Sequence, residues 1–168
     1  MKLKLNIYRY APLGINLSPE RRFFVGGIVC SFAYSLQFLI RYGNSHSSLY
    51  TWVRNERVLL PNAVMEDFYI LLGSSLLGFA IVALCSLAII IYHYAYHWQG
   101  SKSIYLMKRL PNRLELHRRC LTLPLLAALM SLLVAAILLL AYYGIYVACT
   151  PKECLLPGQW QKLWSVLL

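Results

Sequence analysis

Three stretches of this chain, Phe23–Ile40, Phe68–Tyr92 and Leu121–Val147, contain no Asp, Glu, Lys or Arg. Each is near or above the roughly 20 residues that an α-helix needs to cross about 30 Å of hydrocarbon. With 60% hydrophobic and 13% charged residues overall, the apolar content is gathered into blocks and not spread with the period of a soluble amphipathic fold. The expected class is therefore an all-α integral membrane protein with three transmembrane helices. The expected boundaries are an interfacial segment at 1–22, spans at 23–41, 67–95 and 120–148, loops at 42–66 and 96–119, and an interfacial tail at 149–168. Ser31, Ser35 and Gln37 make the first span a helix packed on protein in preference to one bathed in lipid.

The basic residues orient these spans. Five Lys or Arg precede the first block (Lys2, Lys4, Arg9, Arg21, Arg22), Arg54 and Arg57 lie in the first loop, and Lys152 and Lys162 follow the third block. Six (Lys102, Lys108, Arg109, Arg113, Arg118, Arg119) crowd the second loop. The positive-inside bias places the N-terminus and the 102–119 loop in the cytoplasm, and the 42–66 loop and C-terminal tail outside, in a multi-pass plasma-membrane protein. The net charge of +10 sits at membrane edges, so anionic lipid headgroups are the expected partner and nucleic acid is not. The first apolar run follows a polar lead and has no small-residue cleavage pattern, so no cleaved signal peptide is expected. The lead is broken by Pro12, Gly14 and Pro19, and Ser18-Pro19-Glu20 reads as a helix start.

Few residues offer chemistry. Cys30, Cys85 and Cys120 fall in or beside spans, where a thiol behaves as a small apolar group. Cys149 and Cys154 bracket Thr150-Pro151-Lys152-Glu153. They read either as a small disulfide in an oxidising compartment or as two separate thiols. His93 and His97 share a helical face, as a haem or metal site requires. They lie in the aromatic run YHYAYHW, so anchoring at the water boundary is the favoured reading, and no metal or other cofactor is expected on this chain. No phosphate-binding loop, nucleophile elbow or zinc-protease motif is present, so the chain is not expected to be an enzyme.

Packing and loop geometry complete the pattern. Ala127, Ser131 and Ala135 recur every four residues in the third span, and Ser74 and Gly78 do so in the second; such small-residue faces let helices approach closely. Three spans form a thin bundle, which points to assembly with itself or with another membrane subunit. Leu49, Tyr50, Trp52 and Val53 in the first loop read as a short interfacial helix, with Arg54, Glu56 and Arg57 solvated. In the tail, Trp160, Leu163, Trp164 and Leu167 share a helical face suited to the outer interface. In the second loop Ile104, Leu106, Met107, Leu110, Leu114 and Leu116 alternate with basic residues. Pro111-Asn112 divides the run into a short surface helix, a turn, and a helix leading into the third span.

This order of elements, together with Leu110-Pro111-Asn112-Arg113-Leu114-Glu115-Leu116, resembles the membrane subunits of type 2 ABC transporters, whose intracellular loop often reads Leu-Pro-x-Arg-x-Glu-Leu. The resemblance implies a half-length permease that pairs with a fuller one, and a coupling helix over Tyr105–Leu110 that sits on a separate ATPase. Pro111, Arg113 and Glu115 would form the following turn and helix start. Leu106, Met107 and Leu110 would fill a groove on the ATPase, and Arg109, Arg113 and Glu115 would pair with its charges. ATP hydrolysis, on that other subunit, would be coupled to substrate export. The competing expectation is a small accessory or regulatory membrane protein whose basic loop binds anionic lipid or another membrane protein.

Overall fold

The computed structural model describes residues 17–53, 56–60, 63–99 and 115–167. Its elements in chain order are α1 (Ser18–Ser35), α2 (Gln37–Ser48), β1 (Tyr50–Val53), β2 (Glu56–Leu59), α3 (Phe68–Leu72), α4 (Leu77–Gln99), α5 (Glu115–Cys149), a 3₁₀ turn at Lys152–Cys154 and α6 (Gln159–Leu167). Three helical stretches are long and apolar enough to cross a membrane, Ser18–Ser48, Leu77–Tyr96 and His117–Cys149. At 1.5 Å per residue the shortest of them covers about 30 Å.

The expected spans are altered at two places. In the first, Ser35 Oγ donates back to the carbonyl of Phe32 at 2.7 Å, a bond that competes with the helix ladder and tightens the turn. The amides of Leu36 and Leu39 accordingly reach back three residues, to Ala33 and Leu36, and α2 begins after Leu36. In the second span the chain breaks at residues 73–76 between α3 and α4. Gly73 has φ +44°, a conformation that side-chain-bearing residues rarely adopt, and the Arg41 guanidinium lies where a Cβ would project.

The all-α expectation is corrected in the first loop, which forms an antiparallel hairpin pairing Tyr50 with Leu59 and Trp52 with Arg57. Aromatic and β-branched residues at Tyr50, Thr51, Trp52, Val53 and Val58 favour strand over helix in so short a run. Arg57 is not simply solvated, because its guanidinium stacks 5.0 Å above the Trp52 ring, a cross-strand cation–π pair.

The chain divides into two compact units. One comprises the described residues up to Cys30 with Phe79–Val134, and the other Ser31–Gly78 with Ala135–Leu168. The second is organised by an aromatic core. Phe38 is fully buried, stacks on Tyr142 at 4.5 Å and meets the edge of Phe68 at 5.8 Å. Three hydroxyls that enter this core are matched: Ser35 with Tyr142 at 2.8 Å, Tyr42 with Thr150 at 3.2 Å, and Tyr146 donating to the Glu66 carbonyl at 2.9 Å.

Of the predicted packing residues, Ser74 bonds Tyr34 through their hydroxyls at 3.1 Å, and Gly78 lies against Ser31. A Cβ on Gly78 would stand 2.9 Å from Ser31 Oγ and 3.2 Å from its Cα. Gly78→Val is therefore expected to destabilise this unit by about 1–3 kcal/mol through overpacking, whereas Gly43→Val, with open space beyond the Cα, is expected to leave the unfolding midpoint within about 0.5 kcal/mol.

The tail packs into this second unit. Leu163 is buried at 2% exposure, Trp160 packs 5.0 Å from Tyr143, and Gln159 Oε1 accepts the amide hydrogen of Phe68 at the start of α3. Gln159 Nε2 and Lys162 Nζ both donate to Asp67 Oδ1, at 2.8 and 2.9 Å. These bonds, Gln159 first and Lys162 second, hold the Asp67 carboxyl below its ordinary value of 3.8. A depressed carboxylate contributes stability above its unfolded pKa and loses it as pH falls through the lower folded value. The Trp160 and Trp164 fluorescence should therefore change on acidification below about pH 4, and Asp67→Asn should remove most of that transition. An identical acid transition in the variant would show that other groups govern it.

Cys149 is exposed and Cys154 buried, and both are free thiols. Of the two readings open from the sequence, the structure has separate cysteines, because Cys154 turns into the core cluster.

Candidate functional site

In the other unit, α4 presents Phe79, Val82, Ala83, Ser86 and His93 as its buried residues. Their spacing of three, four and seven is that of one helical face. Among the described residues of α5 up to Val134, the part in this unit, the buried ones are Cys120, Pro124, Ala128 and Ser131, again one face. Ser131, one of the small residues expected to pack, donates its hydroxyl to the Phe79 carbonyl at 2.8 Å. Ala128 is buried, and Ala127 and Ala135 are half-buried. On α1, Gly27 lets the helices come close, a Cβ there meeting Val82 Cγ2 at 2.9 Å.

His93, with no exposed surface, joins three helices. Its Nε2 lies 2.8 Å from Oε1 of Glu20 in the first turn of α1, where the positive end of the helix favours a carboxylate. Its Nδ1 lies 3.3 Å from the carbonyl oxygen of Cys120 on α5. That carbonyl needs a partner for a reason written in the sequence. In an α-helix it would accept the amide hydrogen of the residue four places on, and that residue is Pro124, which has none. The imidazole fills the gap, so a buried oxygen that would otherwise cost about 1–3 kcal/mol is satisfied from a neighbouring helix. Nearby, Tyr94 Oη and His117 Nδ1 are 2.7 Å apart, a second tie between α4 and α5. These bonds fasten the end of α4 and the start of α5, the two helices that the loop connects, and bind them to α1.

No family model, no curated protein and no solved structure matches this chain.

The site differs from the sequence expectation at His93, which is a buried clasp and not an anchor at the water boundary. Among the described residues no group of three metal-ligating side chains occurs, and the side chain of His97 lies outside them. Tyr105, Leu106, Met107, Arg109, Leu110, Pro111 and Arg113 also lie outside the described residues; Glu115 opens α5. Glu20, Cys120 and Pro124 are functional candidates that sequence reasoning missed. The available signal was Pro124 inside an apolar helix, which leaves the carbonyl four residues earlier seeking a donor.

Proposed function

We propose that this chain is a membrane-embedded, non-catalytic subunit of an ABC-type transporter, with the 102–119 loop docking a separate ATPase in the cytoplasm. In this reading the N-terminus is also cytoplasmic, the hairpin and α6 face outward across the plasma membrane, and a second membrane subunit completes the transport path. Leu106, Met107 and Leu110 fill a groove on the ATPase, while Arg109, Arg113 and Glu115 make charge-assisted contacts with it. ATP-driven closure of the ATPase pushes on the loop, and the helices pass the movement on as a change between discrete packings.

The observation that carries this reading is the clasp of Glu20, His93 and the Cys120 carbonyl. A loop that only obeys charge bias needs no buried polar junction where it leaves the helices. A loop that transmits force needs its two helix ends held together and tied to the rest of the bundle. The basic turn and the clasp thus form one mechanical path, from docking side chains through α4 and α5 to α1.

The test is purification from native membranes in mild detergent, with the accompanying proteins identified by mass spectrometry. An ATPase is expected with the wild-type chain and is expected to fall at least about thirtyfold with Leu110→Asp combined with Arg113→Glu, because a charge placed in an apolar groove and a reversed ion pair each cost about 1 kcal/mol or more. Membrane insertion is expected to be unchanged. Equal ATPase recovery with both chains excludes the docking role, and no ATPase with either favours a regulatory membrane protein.

A further inference from the structure

We propose that Glu20 and His93 form a proton-binding site, in which one shared proton closes the three-helix junction and its release opens it. The proposal rests on the clasp geometry and holds whichever partner the 102–119 loop meets.

A carbonyl oxygen only accepts, so the contact between His93 Nδ1 and the Cys120 oxygen requires the ring hydrogen on Nδ1. A neutral imidazole then has a bare lone pair on Nε2. That atom is 2.8 Å from Glu20 Oε1, and an ionised carboxylate likewise offers only lone pairs. The contact is attractive only with one further hydrogen between the two atoms, either on Nε2, as imidazolium and carboxylate, or on Oε1, as neutral imidazole and carboxylic acid. Both forms hold the same number of protons and the same net charge of zero, so they are one macroscopic state of a coupled pair.

When that proton leaves for water, breaking the N–H or O–H bond and leaving its electron pair on nitrogen or oxygen, the junction cannot be repaired by tautomerism. Moving the remaining ring hydrogen to Nε2 restores the bond to Glu20 but turns the Nδ1 lone pair toward the Cys120 carbonyl. Keeping it on Nδ1 leaves Nε2 against the carboxylate. Pro124 removes the escape, because no backbone amide is available to take over the Cys120 carbonyl. With His93 fully buried and Glu20 only 20% exposed, water does not readily replace the lost bond. Among the described residues, the titratable groups nearest to the imidazole are Glu20 from α1, Cys120 from α5 and, on α4 itself, its outward-turned neighbour Tyr92, whose ring centroid is 6.2 Å from that of His93. Arg21, Arg22, His117, Arg118 and Arg119 stand on the same helix ends.

The test uses the full chain in lipid nanodiscs, in a background with His46, His97 and His117 changed to Gln so that one histidine remains. Nitrogen-15 resonances of His93 are followed with pH, together with backbone hydrogen exchange at the ends of α1, α4 and α5. The expected result is an Nδ1 that stays protonated while the Nε2–Glu20 proton titrates. Exchange at the three helix ends, corrected for its intrinsic pH dependence, should become about tenfold to a hundredfold faster on the alkaline side, as expected for loss of one charge-assisted hydrogen bond. Two variants should abolish the pH response for different reasons. In Glu20→Gln the side-chain amide donates to Nε2 and no titrating proton is needed. In Pro124→Ala a backbone amide satisfies the Cys120 carbonyl and frees the ring to donate from Nε2 to the carboxylate. An Nδ1 that is bare in the neutral ring, or a pH response that persists unchanged in both variants, overturns the proposal.

Discussion

Changing His93 to Leu is expected to destabilise the unit formed by α4, α5 and the start of α1 by about 3–5 kcal/mol, the cost of breaking a buried pair by removing one member. Leucine leaves two groups without partners: the Glu20 carboxyl and the Cys120 carbonyl. The effect should divide accordingly. Adding Glu20→Leu removes the stranded carboxyl and is expected to recover much of the loss, because apolar groups of suitable shape often replace a buried ionic pair without penalty. Adding Pro124→Ala gives the Cys120 carbonyl a backbone donor and is expected to recover about a further 1–3 kcal/mol. The unfolding midpoints of the purified single, double and triple variants measure this directly. Strict additivity among these substitutions would mean that the residues do not share one junction.

The second large effect is expected in the aromatic core. Phe38→Ala should cost about 3–5 kcal/mol, since a fully buried ring is lost and the rigid neighbours Tyr142 and Phe68 cannot close the cavity. Tyr146→Phe is the matched control. It keeps the ring and removes only the hydroxyl that donates to the Glu66 carbonyl at 2.9 Å, for an expected cost of about 1 kcal/mol. Equal effects of the two substitutions would show that hydrogen bonding, and not ring packing, dominates this unit.

The three long helices were legible because apolar length is a direct signal: no competing element satisfies the backbone of a long uncharged run in lipid. Their interruptions were less so. The break after Ser35 depends on a serine bonding its own backbone, and the same residue type is harmless elsewhere in a helix. The hairpin was misread because Leu49, Tyr50, Trp52 and Val53 suit an interfacial helix as well as a strand, and pairing with Val58 and Leu59 decides between them. Asp67 stood at the edge of an apolar block with nothing to show that Gln159 and Lys162, more than ninety residues later, would bond it.

At the clasp the local sequence actively misled. The tyrosines around His93 suggest a water boundary, yet a helix turns successive residues through about 100°. His93 therefore faces inward while Tyr92, at 56% exposure, faces out. Glu20 was read as part of a helix start, which it is, since its place in the first turn of α1 also sets it against the imidazole. Only Pro124 carried a long-range message in its own chemistry, a carbonyl left open at Cys120.

The most direct measurement of the proposed transport role is ATP turnover by the complex that this role requires, in lipid nanodiscs, comparing the wild-type chain with the Glu20→Leu, His93→Leu variant, whose loop sequence is unchanged. Transmission through the clasp predicts that the ATPase still co-purifies with the variant while the turnover stimulated by the membrane subunit falls about tenfold, as for a lost coupling of 1–3 kcal/mol. Undiminished turnover in a variant that retains its ATPase would contradict it.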